Sequence, residues 1–222
     1  DIAIGGAPYG IDYDVDTKFF QGTSPDVEQY FGELSMLGKS QMAGTLNMRQ
    51  DVHFDDDTRL QDEPGSPYHD TKTILLRGPQ GIHAAKGNEA TKLWIADVTH
   101  ENAPLLNDWP TARRCLNLIA EMLAKQFGKP PQFGKIMVEC LKPGGWIDWH
   151  VGGGAYADAH DRFVCPLVTC PGAFVLSGGE AASPAQGVLC YFNHHVAHSA
   201  INAGPIVRSH LVLDLRREEK PN

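Results

Sequence analysis

The stretch WIDWHVGGG, residues 146–154, sets His150 between a strand-like aromatic run and three consecutive glycines. A histidine beside bare backbone leaves room for a ligand to approach. A second stretch, FNHHVAHSA, brings His194, His195 and His198 close together, and His160 stands in DAHDRF. Two neutral imidazoles drawn from neighbouring strands are a common way to hold a divalent metal, whereas a lone histidine is more often structural. His150 and His198 form the candidate pair, with His194 and His195 expected on a loop facing solvent or a substrate. Arg208 interrupts the otherwise apolar run IVRSHLVLDL. An inward-facing arginine needs an anionic partner, because an unpaired buried charge is costly. A carboxylate matches its planar fork of donors. Asp148 or Asp158 is an alternative third ligand, and His160 a substitute ligand. Strand alternation would put Asp148, two residues before His150, on the same face.

These residues need a scaffold. From residue 135 onward, short strand-like runs recur every eight to twelve residues, at 135–141, 146–150, 162–169, 172–177, 187–192 and 206–215, separated by Gly, Pro or Asn. That rhythm predicts an antiparallel sandwich or barrel, mainly β with flanking helices. TKTILLRG and KLWIADVTH also read as strands. WPTARRCLNLIAEMLAKQFGK is the clearest helix, with Pro110 near its start, Gly128 past its end and an apolar face at helical spacing. Upstream, Ser24 and Pro25 begin a short helix to about Leu37. The acidic residues 51–62 lie in a long irregular segment, a candidate lid. One domain over 1–222 is expected, with 1–72 as a cover and 73–222 as the core. Trp146 and Trp149 are candidate pocket-lining or core residues.

Bulk properties exclude several classes. The net charge of -8 argues against a general nucleic-acid or membrane-surface binder, since phosphate contacts need clustered Lys and Arg. No apolar run is long enough for a transmembrane helix, and the N-terminal residues have no signal-peptide pattern. Five cysteines at spacings that fit no zinc or disulfide framework read as reduced thiols of a cytoplasmic protein.

The C-terminal third, from about Lys142 to Arg216, resembles the aspartyl/asparaginyl β-hydroxylase family of iron(II), 2-oxoglutarate-dependent oxygenases. The resemblance is carried by KPGGWIDWHVG, DRFVCPLV and GVLCYFNHHVAHSAINAGPIVRSHLVLDL. It implies a double-stranded β-helix core of jelly-roll or cupin type. It also implies His150 and His198 as iron ligands, Arg208 as the grip on the far carboxylate of 2-oxoglutarate, and Arg162 as a second co-substrate contact. Gly152 stands where most such oxygenases carry an aspartate ligand, a departure shared with this family, where water replaces the carboxylate. Two positions depart from the family itself: Val164 replaces a histidine, and Glu139 falls where a co-substrate serine is usual. The implied activity is hydroxylation of an amino-acid residue or free amino acid, on a small-molecule, peptide or protein substrate. Competing readings are a cupin-type metalloenzyme that does not use 2-oxoglutarate, and a non-catalytic binding module.

Overall fold

The computed structural model describes residues 3–4, 66–85, 88–107 and 110–217. The expected helix at 24–37 and the acidic segment 51–62 lie outside the described residues.

The strands are β1 (Ala3–Ile4), β2 (Thr71–Pro79), β3 (His100–Asn102), β4 (Phe133–Leu141), β5 (Trp146–His150), β6 (His160–Val168), β7 (Ala173–Ser177), β8 (Glu180–Ala182), β9 (Cys190–Phe192), β10 (His198–Asn202) and β11 (Arg208–Arg216). One sheet has the order β1-β9-β6-β11-β4-β2-β3 and the other β5-β10-β7-β8. Within β4 to β11 the chain passes back and forth between the sheets. The strands interleave as β4-β11-β6-β9 against β5-β10-β7-β8, every neighbouring pair antiparallel. That order is a double-stranded β-helix, as expected. Strands β2 and β3 widen the larger sheet.

Alternation along each strand sorts the side chains into two cores. On β11, Leu211, Leu213 and Leu215 face outward with Ile74, Leu76, Ile136, Val138, Phe163 and Cys165. Helix α3 (Pro110–Phe127) covers this face; the short α1 (Asn88–Ile95) and α2 (Pro104–Asn107) precede it. Ala112, Leu116, Ile119 and Leu123 of α3 are all buried. Their helical spacing makes one apolar stripe, and each Leu or Ile contributes about 1.5–3 kcal/mol on burial. The intervening residues of β11, Arg208, His210, Val212 and Asp214, face between the sheets. There Val212 packs with Ile147, Val164, Val175, Phe192 and Ala200. Polar and charged groups therefore line the interior of the β-helix, where a site can form.

The helix expected around 110–127 is found at those positions. The strand expected at KLWIADVTH is not: helix α1 ends at Ile95 and a strand starts only at His100. The apolar run there is too short for periodicity to separate helix from strand, and Glu89, Ala90, Lys92 and Leu93 favour the helix. His198 opens a short strand of its own, β10, which was not among the expected runs. Helix α4 (Gly154–Ala159), which begins at the last of the three glycines, was not anticipated.

Candidate active site

Strands β5 and β10 pair so that His150 and His198 are direct cross-strand partners, with ring centroids 4.0 Å apart. Ile147 pairs with Ala200, so three residues of β5 span two of β10. This bulge adds one residue and reverses the parity of the strand. It returns His150 to the inward face that Ile147 occupies. It also turns Asp148 outward. Asp148 accepts a 2.7 Å hydrogen bond from Trp146 Nε1 and its side chain is 55% exposed. The alternation argument for Asp148 as a third ligand therefore fails. Trp146 and Trp149 are 48% and 61% exposed, neither core nor pocket lining.

Each imidazole is fixed through Nδ1. His150 Nδ1 lies 2.7 Å from the Asp148 carbonyl and His198 Nδ1 2.9 Å from that of Val196. A carbonyl only accepts, so Nδ1 carries the proton in both rings and Nε2 is unprotonated in both, the atom through which each could ligate a metal. Burial lowers the pKa of His150, and it takes His198 down to about 3 with His150 adding to the effect. Both rings are thus neutral, the ligating form. The Tyr68 hydroxyl donates to His150 Nε2 at 2.7 Å. Tyr68 is held beside β5 by two backbone contacts: Asp148 N donates to the Pro67 carbonyl at 3.0 Å and Trp146 N to the Asp70 carboxylate at 3.2 Å. No sequence signal marked Tyr68, which approaches His150 only through the tertiary fold.

The residues around Gly152 explain its type. A Cβ there would stand 2.5 Å from His194 Cδ2 and 2.8 Å from the His194 carbonyl oxygen, to which Gly152 N donates. The space beside the glycine holds the His194 ring. His194 is buried rather than solvent-facing, and its Nδ1 has no hydrogen-bond partner among the described residues. His195 instead meets Arg217 at 2.8 Å. His160 is stacked on Tyr156 with Nδ1 on the Tyr156 carbonyl, and Asp158 is exposed on α4; the structure brings neither to the pair. No group of three His, Cys, Asp or Glu among the described residues is placed to hold a metal. The site offers two histidines.

A pocket of about 410 Å³ opens over the pair, lined by Tyr68, Leu75, Trp94, Lys135, Met137, Tyr156, Arg162 and His194 among others. A narrower cleft of about 40 Å³, bounded by both imidazoles, Val164, Phe192 and Val212, has Arg208 in its wall. Arg208 is 2% exposed and its Nη1 lacks a hydrogen bond among the described residues. Its Nε and Nη2 lie 3.0 and 2.7 Å from the two ring nitrogens of His210. Burial, reinforced by the Arg208 charge, keeps His210 neutral, and a neutral imidazole accepts through one nitrogen only. The guanidinium therefore has donors to spare for an anion. Glu139 comes within 3.8 Å of Nη1. Arg162 is the cross-strand partner of Asp214 and grips it bidentately at 2.8 and 2.9 Å. Burial raises the Asp214 pKa, but the Arg162 charge and hydrogen bonds outweigh it and hold the carboxyl below the ordinary range.

The model of the aspartyl/asparaginyl beta-hydroxylase family matches residues 94–218, more than half of the sequence. The chain belongs to this family. It is accordingly a 2-oxoglutarate-dependent hydroxylase. The match begins in α1 and runs past the end of β11. No curated protein matches the chain. Solved structures similar to it include a 2OG-Fe(II) oxygenase family oxidoreductase from Burkholderia pseudomallei, with 14% identity, 67% of each chain covered and a TM-score of 0.48. A Pseudomonas putida prolyl-4-hydroxylase shares 13% identity over 86% of this chain and 88% of its own, with a TM-score of 0.44. A cupin domain from Bordetella pertussis shares 20% identity over 39% of this chain and 92% of its own, with a TM-score of 0.31. Among the described residues no helix is long and apolar enough to cross a membrane.

Proposed function

We propose that this chain binds iron(II) through His150 and His198, holds 2-oxoglutarate with Arg208, and hydroxylates an amino-acid residue or free amino acid with release of succinate and carbon dioxide. One observation carries the reading. Two neutral imidazoles sit directly across a strand pair with their Nε2 atoms free of protons, beside a cleft walled by a buried arginine with unused donors. The donor set fits a divalent metal, and the arginine fits a carboxylate. When bound, the iron would supply the redox chemistry that couples cleavage of 2-oxoglutarate to insertion of one oxygen atom into a substrate C–H bond.

The chain's own residues orient and enclose. The two backbone carbonyls lock the histidine tautomers. Arg208 anchors the co-substrate by its far end. Arg162, already neutralised by Asp214, gives the neighbouring wall a fixed positive edge without a net charge. The apolar lining of the larger pocket excludes water from the reacting groups.

Anaerobic titration with iron(II) and 2-oxoglutarate tests this through the visible charge-transfer band of the complex. Wild type should show the band, His198→Ala should lose it, and Arg208→Ala should need much more 2-oxoglutarate. The cupin-type reading draws support from Glu139, whose carboxylate competes for Arg208. Bound metal without any band would favour it.

A further inference from the structure

The wall of the pocket away from Arg208 carries a cation that the reaction outlined above does not use. Lys135, on β4, is 6% exposed and lines the pocket over the two histidines. Its ammonium donates to the Trp94 carbonyl at 2.9 Å. It lies 3.6 Å from the centre of the Tyr156 ring and 4.9 Å from that of Trp94. It has no ion pair among the described residues. The neighbouring carboxylate, Asp214, is committed: it accepts two bonds from Arg162 and a third from the Tyr156 hydroxyl at 2.9 Å. Glu139 also lines this pocket but faces Arg208 at 3.8 Å, so Lys135, Arg162 and Asp214 together leave one positive charge beside Leu75, Trp94, Ile95, Met137 and Ala157.

A lysine buried with one carbonyl and two aromatic faces is poorly compensated. Burial draws its pKa down to about 7. Such a group costs the fold stability, and a ligand that supplies the missing anion would recover it. The surroundings are nonetheless built around it. The Tyr156 hydroxyl accepts from Lys135 N at 2.7 Å. The preceding Gly134 has no room for a side chain, since a Cβ would lie 2.5 Å from that hydroxyl. Lys135 is therefore held by its backbone as well as by its side chain.

We propose that Lys135 binds a carboxylate of the substrate, so that the part of the substrate at this wall carries one negative charge on an apolar body. This rests on the reading of His150 and His198 as the reaction centre, and it assigns separate cations to the two organic molecules: Arg208 to the co-substrate and Lys135 to the substrate. One unpaired charge calls for a single negative charge. Inorganic phosphate offers the charge without an apolar body to fill this wall, so it should bind less tightly.

The test is anaerobic calorimetric titration of the full chain loaded with iron(II) and saturated with 2-oxoglutarate, so that Arg208 is occupied. The probes are hexanoate, hexanamide and inorganic phosphate, at a pH below neutral where Lys135 is protonated. Wild type should bind hexanoate at least about tenfold more tightly than hexanamide, as expected for a charge-assisted contact. Lys135→Met should abolish that preference, keep its 2-oxoglutarate affinity and melt no lower than wild type; Lys135→Gln serves as a second neutral variant. A purely structural lysine would lower the melting point and leave the acid–amide discrimination untouched. The proposal is overturned if wild type shows no acid preference, if the neutral variants retain it, if phosphate binds as tightly as hexanoate, or if 2-oxoglutarate affinity falls with the lysine. Failure of 2-oxoglutarate to bind wild type at all would instead count against the co-substrate reading, and the hexanoate comparison would still judge Lys135.

Discussion

Replacing Glu139 by glutamine should make 2-oxoglutarate bind more tightly and the protein less stable. The Glu139 carboxylate stands 3.8 Å from Arg208 Nη1, and its side chain is 16% exposed. At that distance two unit charges interact by about 4 kcal/mol at an effective dielectric constant of about 20. In the free protein this attraction helps to neutralise a buried guanidinium. A co-substrate carboxylate brought to the same guanidinium meets Glu139 as a competitor and a like charge. Glutamine keeps the shape and removes both effects. Solvent and side-chain rearrangement leave part of the Coulomb energy, about 1.4–2.8 kcal/mol, which corresponds to a Kd for 2-oxoglutarate about 10- to 100-fold lower. The free protein loses the counter-ion of Arg208 and should be destabilised by about 1–3 kcal/mol. For a chain of this size that lowers Tm by about 2–12 °C. Calorimetry with 2-oxoglutarate measures the first quantity and differential scanning calorimetry the second. Opposite signs are the diagnostic outcome. Unchanged or weaker 2-oxoglutarate binding in Glu139→Gln would refute the competition and, with it, the placement of the co-substrate at Arg208.

Three further outcomes are expected. Tyr68→Phe frees His150 Nε2 from a hydrogen bond worth about 0.5–1.5 kcal/mol, so metal affinity measured by chelator competition should rise by up to about tenfold; a fall would show that the hydroxyl assists the metal. Gly152→Ala forces a methyl group against the His194 ring and carbonyl and should cost about 1–3 kcal/mol of stability by chemical denaturation; a neutral result would mean that the loop yields freely. Asp214→Asn strands the buried Arg162 and should cost about 3–5 kcal/mol. Because the folded-state pKa of Asp214 is depressed, its stabilisation is fully present above the unfolded carboxyl value near 4 and is lost as pH falls toward the folded value. The wild-type advantage over Asp214→Asn should therefore shrink only on acidification below about pH 4, and an advantage that shrinks between neutral pH and pH 5 would contradict the ion pair.

The sequence by itself determined helix α3 and the strands from β4 onward except β8 and β10, and it singled out the histidine pair, because these follow from local rules. Alternation, helical spacing and turn residues are properties of neighbours along the chain. The types His150, His198 and Arg208 are informative alone, since each is costly to bury without a partner. Asp148 shows where local rules stop: one inserted residue in β5, visible only against β10, reversed the alternation that would have made it a ligand. The tertiary structure alone decided that Tyr68 reaches His150 across 82 positions, that His194 fills the space beside Gly152, and that Glu139 meets Arg208. It also left Lys135 inside the pocket while Asp214 went to Arg162. Those pairings depend on which strands become neighbours. Strand order is set by burying two faces of a closed β-helix at once, a condition on the whole chain that no single stretch of it expresses.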